Sequence, residues 1–249
     1  RLPKHYVRDL ITALTGMGIV IQNNTEVGKD ITLEEIKAAS DTVFLDTGAW
    51  KQPILGIDGE SLTQFGLNFL VEVKKFMTKQ IGKEVLVCGG GNVAMDVART
   101  AIRHGTRHVL CVSITKKIAA SDYEASYARL EGVEFLYNKK PVEITDQGVV
   151  LRDLDEAEDG TLTERPGTEM LYPADSVVVS ISQGPTMTIA ENEKKIETNA
   201  RGLFVTDEVG RTTMPGVFAS GDAVKGARTV VEAVADGKQA AADIAEYLK

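Results

Sequence analysis

Gly89-x-Gly91-x-x-Ala94 has the spacing of a phosphate-cradling turn. The first glycine permits a tight bend, the second lets the backbone approach a pyrophosphate, and the small third residue packs a helix closely. A helix opening at Asn92 and Val93 would aim unpaired N–H groups at the phosphates. Gly89, Gly90, Gly91, Asn92 and Val93 are therefore the candidate dinucleotide contacts. A tight strand-to-helix turn without a ligand has the same composition. About 20 residues beyond the glycines, where a carboxylate would receive a ribose 2′-hydroxyl, the chain reads Thr115-Lys116-Lys117. A hydroxyl and two cations favour a 2′-phosphate, hence NADP over NAD, although two surface lysines after a strand look the same. No carbonyl-reducing Tyr/Lys pair or catalytic metal is recognisable, and a bound flavin would serve as the hydride acceptor; that transfer needs no side-chain acid or base, so no side chain is assigned as catalytic.

These residues need a β-α-β frame. Glu84 to Cys88 is a continuous apolar run of the kind buried on both faces of a parallel sheet. Val93, Ala94, Val97, Ala98, Ala101 and Ile102 mark one helical face, Gly105 stops that helix, and Val109 to Val112 forms a second strand. Upstream, a helix carries Val7 to Leu14, Ile19 to Ile21 reads as a short strand, Thr32 and Glu35 form a capping box for a helix through Ser40, and Thr42 to Leu45 reads as a strand. Leu67 to Met77 returns to helix. Beyond Gly132, short runs at Val133 to Tyr137, Val142 to Ile144 and Val149 to Leu154 predict an antiparallel excursion, with Asp155 to Gly160 as a solvated hairpin tip in preference to a metal loop. Asp175 to Ile181 is another buried-type strand, leading to the turn Gln183-Gly184-Pro185, whose Gly184 is a further candidate cofactor contact. Gly216 to Asp222 is a strand ending in Gly221-Asp222, before a long helix from Val230 to Leu248.

Composition narrows the function classes. A formal charge of −8 and a pI near 5.1 disfavour nucleic acid and anionic membrane. No run approaches the roughly 20 apolar residues of a membrane span, so a cytoplasmic protein is expected. Cys88 and Cys111 lie in strand-like runs as buried thiols, too few to ligate an iron-sulfur cluster, and His104 and His108 are split by Gly105, so no metal site is expected.

Five ordered motifs carry a resemblance: Arg1-Leu-Pro-Lys4, Val27-Gly-Lys-Asp-Ile-Thr32, Thr47-Gly-Ala49, Gly89-Gly-Gly-Asn-Val-Ala-Met-Asp96 and Gly216-Val-Phe-Ala-Ser-Gly-Asp222. Over nearly its whole length the chain resembles the glutamate synthase small-subunit family of NADPH/FAD oxidoreductases, which has the pyridine nucleotide-disulfide oxidoreductase fold. The resemblance implies an α/β architecture: a Rossmann-like, three-layer NAD(P)-binding domain with a β-meander, inserted in a partial FAD-binding Rossmann-like domain. It places residues 1–55 and 191–249 in the FAD domain and 56–190 in the NADPH domain. It puts Thr47, Gly48, Gly221 and Asp222 beside FAD and Arg228, Thr229 and Val230 at the flavin edge; Asp222 as a plain turn or cap aspartate is the alternative. It implies hydride transfer from NADPH to FAD, feeding an iron-sulfur domain or an electron-accepting subunit. The family's cysteine-rich region and first flavin glycine loop are absent before Arg1, so a fragment with weak or no FAD binding is expected. Asp46 replaces a small neutral residue, Thr115-Lys-Lys replaces Tyr-Arg-Arg, and the loop from Lys117 to Glu131 is short. A non-catalytic nucleotide-binding scaffold and an NAD-specific member are the alternatives.

Overall fold

The computed structural model describes residues 3–76 and 81–249. Arg1 and Leu2 of the first family motif, and Met77 at the end of the helix expected from Leu67, lie outside the described residues. In chain order the elements are α1 (Lys4–Gly16), α2 (Leu33–Ala38), β1 (Val43–Leu45), β2 (Gln64–Phe65), α3 (Gly66–Phe76), β3 (Glu84–Cys88), α4 (Asn92–Arg103), β4 (His108–Val112), α5 (Asp122–Leu130), β5 (Glu134–Leu136), β6 (Lys139–Thr145), β7 (Gly148–Glu156), β8 (Leu162–Glu164), β9 (Met170–Pro173), β10 (Ser176–Val179), α6 (Thr188–Asn192), β11 (Val217–Ala219), α7 (Asp222–Lys225) and α8 (Val230–Tyr247). The chain divides into two compact units, one of residues 1–49 with 185–249 and one of residues 50–184.

The 50–184 unit is built on a five-stranded parallel sheet in the order β2-β10-β3-β4-β5. Because side chains alternate across a strand, Val85, Val87, Val109, Cys111 and Val178 face one side, where they pack with Ala94, Met95, Val97, Ala98 and Ala101 of α4. Leu86, Cys88, Val112 and Val177 face the other, against Ile144, Val149 and Leu151 of the meander β6–β9. Helices, parallel sheet and antiparallel meander thus make the three layers expected. Burial on both faces explains why β3 reads as an unbroken apolar run.

The unit of 1–49 and 185–249 has a core of Leu33, Val43, Leu45, Phe204, Met214, Val217 and Ala219 around the parallel pair β1 and β11. The capping box forms as expected: Thr32 accepts from the Glu35 N–H, and Glu35 accepts from the Thr32 N–H.

Three expectations need correction. Ile19 to Ile21 is not a strand; these residues are exposed and no strand pairs with them among the described residues. The run at Val133 to Tyr137 is no part of the antiparallel excursion: β5 extends the parallel sheet beside β4, since the helix α5, unforeseen in the sequence, carries the chain back across the sheet. Glu156 is no solvated tip residue, because β7 continues through it and leaves its side chain 10% exposed.

Candidate functional site

At the glycine loop the three glycines do different work. A Cβ on Gly89, whose φ is +138°, would lie 2.2 Å from the Ser180 carbonyl oxygen, so this residue is dictated by the passage of β10 beside β3. A Cβ on Gly90 would meet Ser113 Oγ at 3.3 Å and Ile118 Cδ1 at 3.4 Å. Around a Cβ on Gly91 there is nothing within 4 Å. Gly91 is the N-cap of α4, no side chain caps the helix, and its first turn carries no acid. The N–H groups of Asn92, Val93 and Ala94 have no partner within a helix. Open space in front of an uncapped, positively polarised helix end fits a pyrophosphate.

The chain after β4 folds back over this loop. The Ala120 N–H donates to the Gly90 carbonyl at 2.7 Å, and the Ser121 N–H donates to Asn92 Oδ1 at 2.9 Å. Asn92 therefore holds the loop closed with its oxygen. Thr115 is turned inward: its hydroxyl donates to the Lys117 carbonyl at 2.7 Å. The Lys116 N–H donates to Glu156 Oε2 at 2.5 Å, and the Lys116 ammonium lies 3.9 Å from Glu156 Oε1. Lys117 is exposed. The structure thus brings Thr115, Lys116 and Lys117 together beyond the glycines and adds a carboxylate that sequence reasoning assigned to solvent. Glu156 stands two residues after buried Leu154, on the same face of β7, so its inward direction follows once the strand continues past Leu154. Gly184 has both its backbone groups bonded to Lys51, at 2.8 and 3.0 Å.

In the other unit, β1 and β11 end together at Asp46 and Gly221. A Cβ on Gly221 would stand 3.0 Å from Asp46 Oδ1, and Gly48 bends the chain at φ +68°. Burial, then the nearby charge of Asp222, raises the Asp46 carboxyl above the usual carboxylate range. Asp222 Oδ1 accepts from the Arg228 N–H at 3.0 Å. At the start of α8, the Thr229 hydroxyl and N–H are both bound to Glu232 in a capping box, leaving the N–H groups of Val230 and Val231 at the helix end. Small residues and free N–H groups suit a flavin nucleotide there, whereas Asp46 and Asp222 together oppose added negative charge.

Elsewhere, buried Arg99 ties α4 to α5: it donates to Glu124 at 2.7 Å and to Glu131 at 2.8 Å, and Arg103 donates to Glu131 at 2.6 Å. Burial pushes the Cys88 thiol up to about 12 and raises that of Cys111 as well, so both stay protonated and inert. No helix among the described residues is long and apolar enough to cross a membrane.

A family profile described as pyridine nucleotide-disulphide oxidoreductase matches residues 5–237. The chain belongs to that family. Within it, the expected likeness to glutamate synthase small chains holds: the "Glutamate synthase [NADPH] small chain" of Escherichia coli K12 is 32% identical over 94% of this chain and 56% of its own length. The "NADP(+)-dependent formate dehydrogenase subunit beta" of Moorella thermoacetica is 37% identical over 100% of this chain and 38% of its own. The chain therefore spans about half or less of these two relatives. Among solved structures, Mycobacterium tuberculosis FprA in complex with NADPH superposes with a TM-score of 0.69 at 18% identity, covering 90% of this chain and 67% of that one. Thioredoxin reductase of T. acidophilum gives 0.67 at 23%, covering 84% and 66%. These two likenesses concern the fold.

Proposed function

We propose that this chain is the nucleotide-handling part of an NADPH-dependent flavoprotein oxidoreductase, with NADPH bound at Gly89 to Ala94 and FAD contacted by Thr47, Gly48, Gly221, Asp222 and the start of α8. The observation that carries this reading is the open, uncapped N-terminus of α4 behind Gly91. When bound, the nicotinamide would supply a hydride to the flavin, whose electrons would pass on to an iron-sulfur domain or partner subunit. The residues here bind and orient: α4 holds the pyrophosphate by N–H groups and dipole, the segment from Ser113 to Ser121 closes over the glycine loop, and Lys117 offers charge to a 2′-phosphate. No side chain has to move a proton for hydride transfer, so none is assigned as catalytic. The relatives' names as small chain and subunit beta support a role beside a partner.

A second reading, a nucleotide-binding module without redox activity, is favoured by Asp46, whose carboxyl at the end of β1 is close enough to Asp222 to feel its charge. The pair opposes the added negative charge of a flavin nucleotide. Anaerobic absorption spectra, with FAD supplied, of the chain extended to the full length of its relatives separate the two. Bleaching of a bound flavin by NADPH supports the redox reading; NADPH binding without retained flavin supports the second; binding of neither contradicts both.

A further inference from the structure

We propose that Glu156 sets the selectivity of the dinucleotide site for the ribose 2′ substituent. This rests on the placement of NADPH at the glycine loop. In dinucleotide folds a carboxylate at the end of the strand after the glycine helix accepts from a 2′-hydroxyl and repels a 2′-phosphate. The sequence offers only Thr115-Lys116-Lys117 there, but the fold supplies the missing carboxylate from the meander.

Glu156 ends β7, and its side chain is 10% exposed beside a Lys116 side chain that is 61% exposed. It is fixed there by accepting the Lys116 N–H, and the same segment is held to the meander where the Asn138 N–H meets the Thr115 carbonyl and the Leu154 N–H donates to the Asn138 carbonyl at 2.8 Å. These bonds hold the carboxylate beside Lys116. It keeps lone pairs for a 2′-hydroxyl, since one oxygen receives the Lys116 N–H and the other lies 3.9 Å from the ammonium. It also offsets the charge of Lys116, and the hydroxyl proton of Thr115 is spent on Lys117. Lys117 is then the one cation of the trio that Glu156 leaves unbalanced. The site takes NADH as well as NADPH, with a shallow preference for the phosphate.

The test is calorimetric titration of the chain, its Glu156→Gln and Glu156→Ala variants and Gly91→Val with NADPH, NADH, adenosine 2′,5′-bisphosphate and adenosine 5′-monophosphate. Glutamine keeps an acceptor for the Lys116 N–H and removes the charge. Both Glu156 variants should raise the NADPH-to-NADH affinity ratio about tenfold, with the bisphosphate gaining over the monophosphate in parallel, while Gly91→Val weakens all four ligands. If Gly91→Val weakens them but the ratio stays within about twofold in both Glu156 variants, or NADPH and NADH shift together, Glu156 has a structural role and the inference is overturned. If Gly91→Val leaves binding intact, the dinucleotide is not at the glycine loop, and the reading beneath the inference fails instead.

Discussion

The Ser180 carbonyl oxygen lies 2.2 Å from the point where a Cβ on Gly89 would sit, whereas nothing stands within 4 Å of a Cβ on Gly91. One glycine of the fingerprint serves the sheet and the other serves whatever enters the loop. Gly89→Ala should therefore destabilise the fold, by about 3 kcal/mol or more from clash and a positive φ together, and Gly91→Ala should leave it unchanged. Urea unfolding of both variants checks this; equal stabilities would mean that β10 yields easily beside β3.

Ser182 holds φ at +123°, a region that side chains avoid, three residues after the end of β10. Ser182→Gly should stabilise the chain by about 1 kcal/mol through release of backbone strain. A fall in the unfolding midpoint would show that the serine makes a compensating bond.

Arg99 bridges Glu124 and Glu131 with its guanidinium stacked 5.3 Å from the Tyr127 ring centre. Arg99→Met should cost about 2 kcal/mol, because two carboxylates lose their shared partner. The Arg99 hydrogen bond holds the Glu131 carboxyl below its ordinary value. That contribution is present above the unfolded-state pKa and is lost as pH falls through the folded one. The acid limb of the stability curve should consequently flatten in Arg99→Met; an unchanged limb would exclude the bridge.

Asp46 has the opposite sign. Its carboxyl is raised, by burial first and by Asp222 second. The native state is not penalised below the unfolded-state pKa; the penalty grows as pH rises toward the folded pKa and is complete above it. Asp46→Asn should raise the thermal midpoint at neutral pH but not in acid, and should strengthen FAD binding. Equal gains at both pH values would assign the effect to something other than charge.

The 50–184 unit was legible because its signals are local: an apolar run, three glycines, a helical face with Ala94, Ala98 and Ala101, and a second run. The direction of β5 was not, since only the helix α5, built around Ala125 and Ala128 with weak apolar spacing, reveals a parallel crossover. The glycine loop could be located from spacing, but the chemistry beyond it could not. Glu156 lies 40 residues from Lys116 in the chain, inside an acidic run that reads as solvated, and only the pairing of β7 with its neighbours turns it inward. Thr229 shows the same limit: the resemblance puts it at the flavin edge without saying how it is held, and in the structure its hydroxyl and N–H are engaged with Glu232 in a helix cap.

The most direct test of the account is a calorimetric titration of NADPH into the chain and into Gly91→Val, with thermal unfolding measured on both. The unfolding midpoints should match and the affinity for NADPH should be at least about tenfold weaker in the variant, because a branched side chain would fill the space the pyrophosphate needs. Equal affinities at equal stability, or no NADPH binding by the unmodified chain, would contradict it.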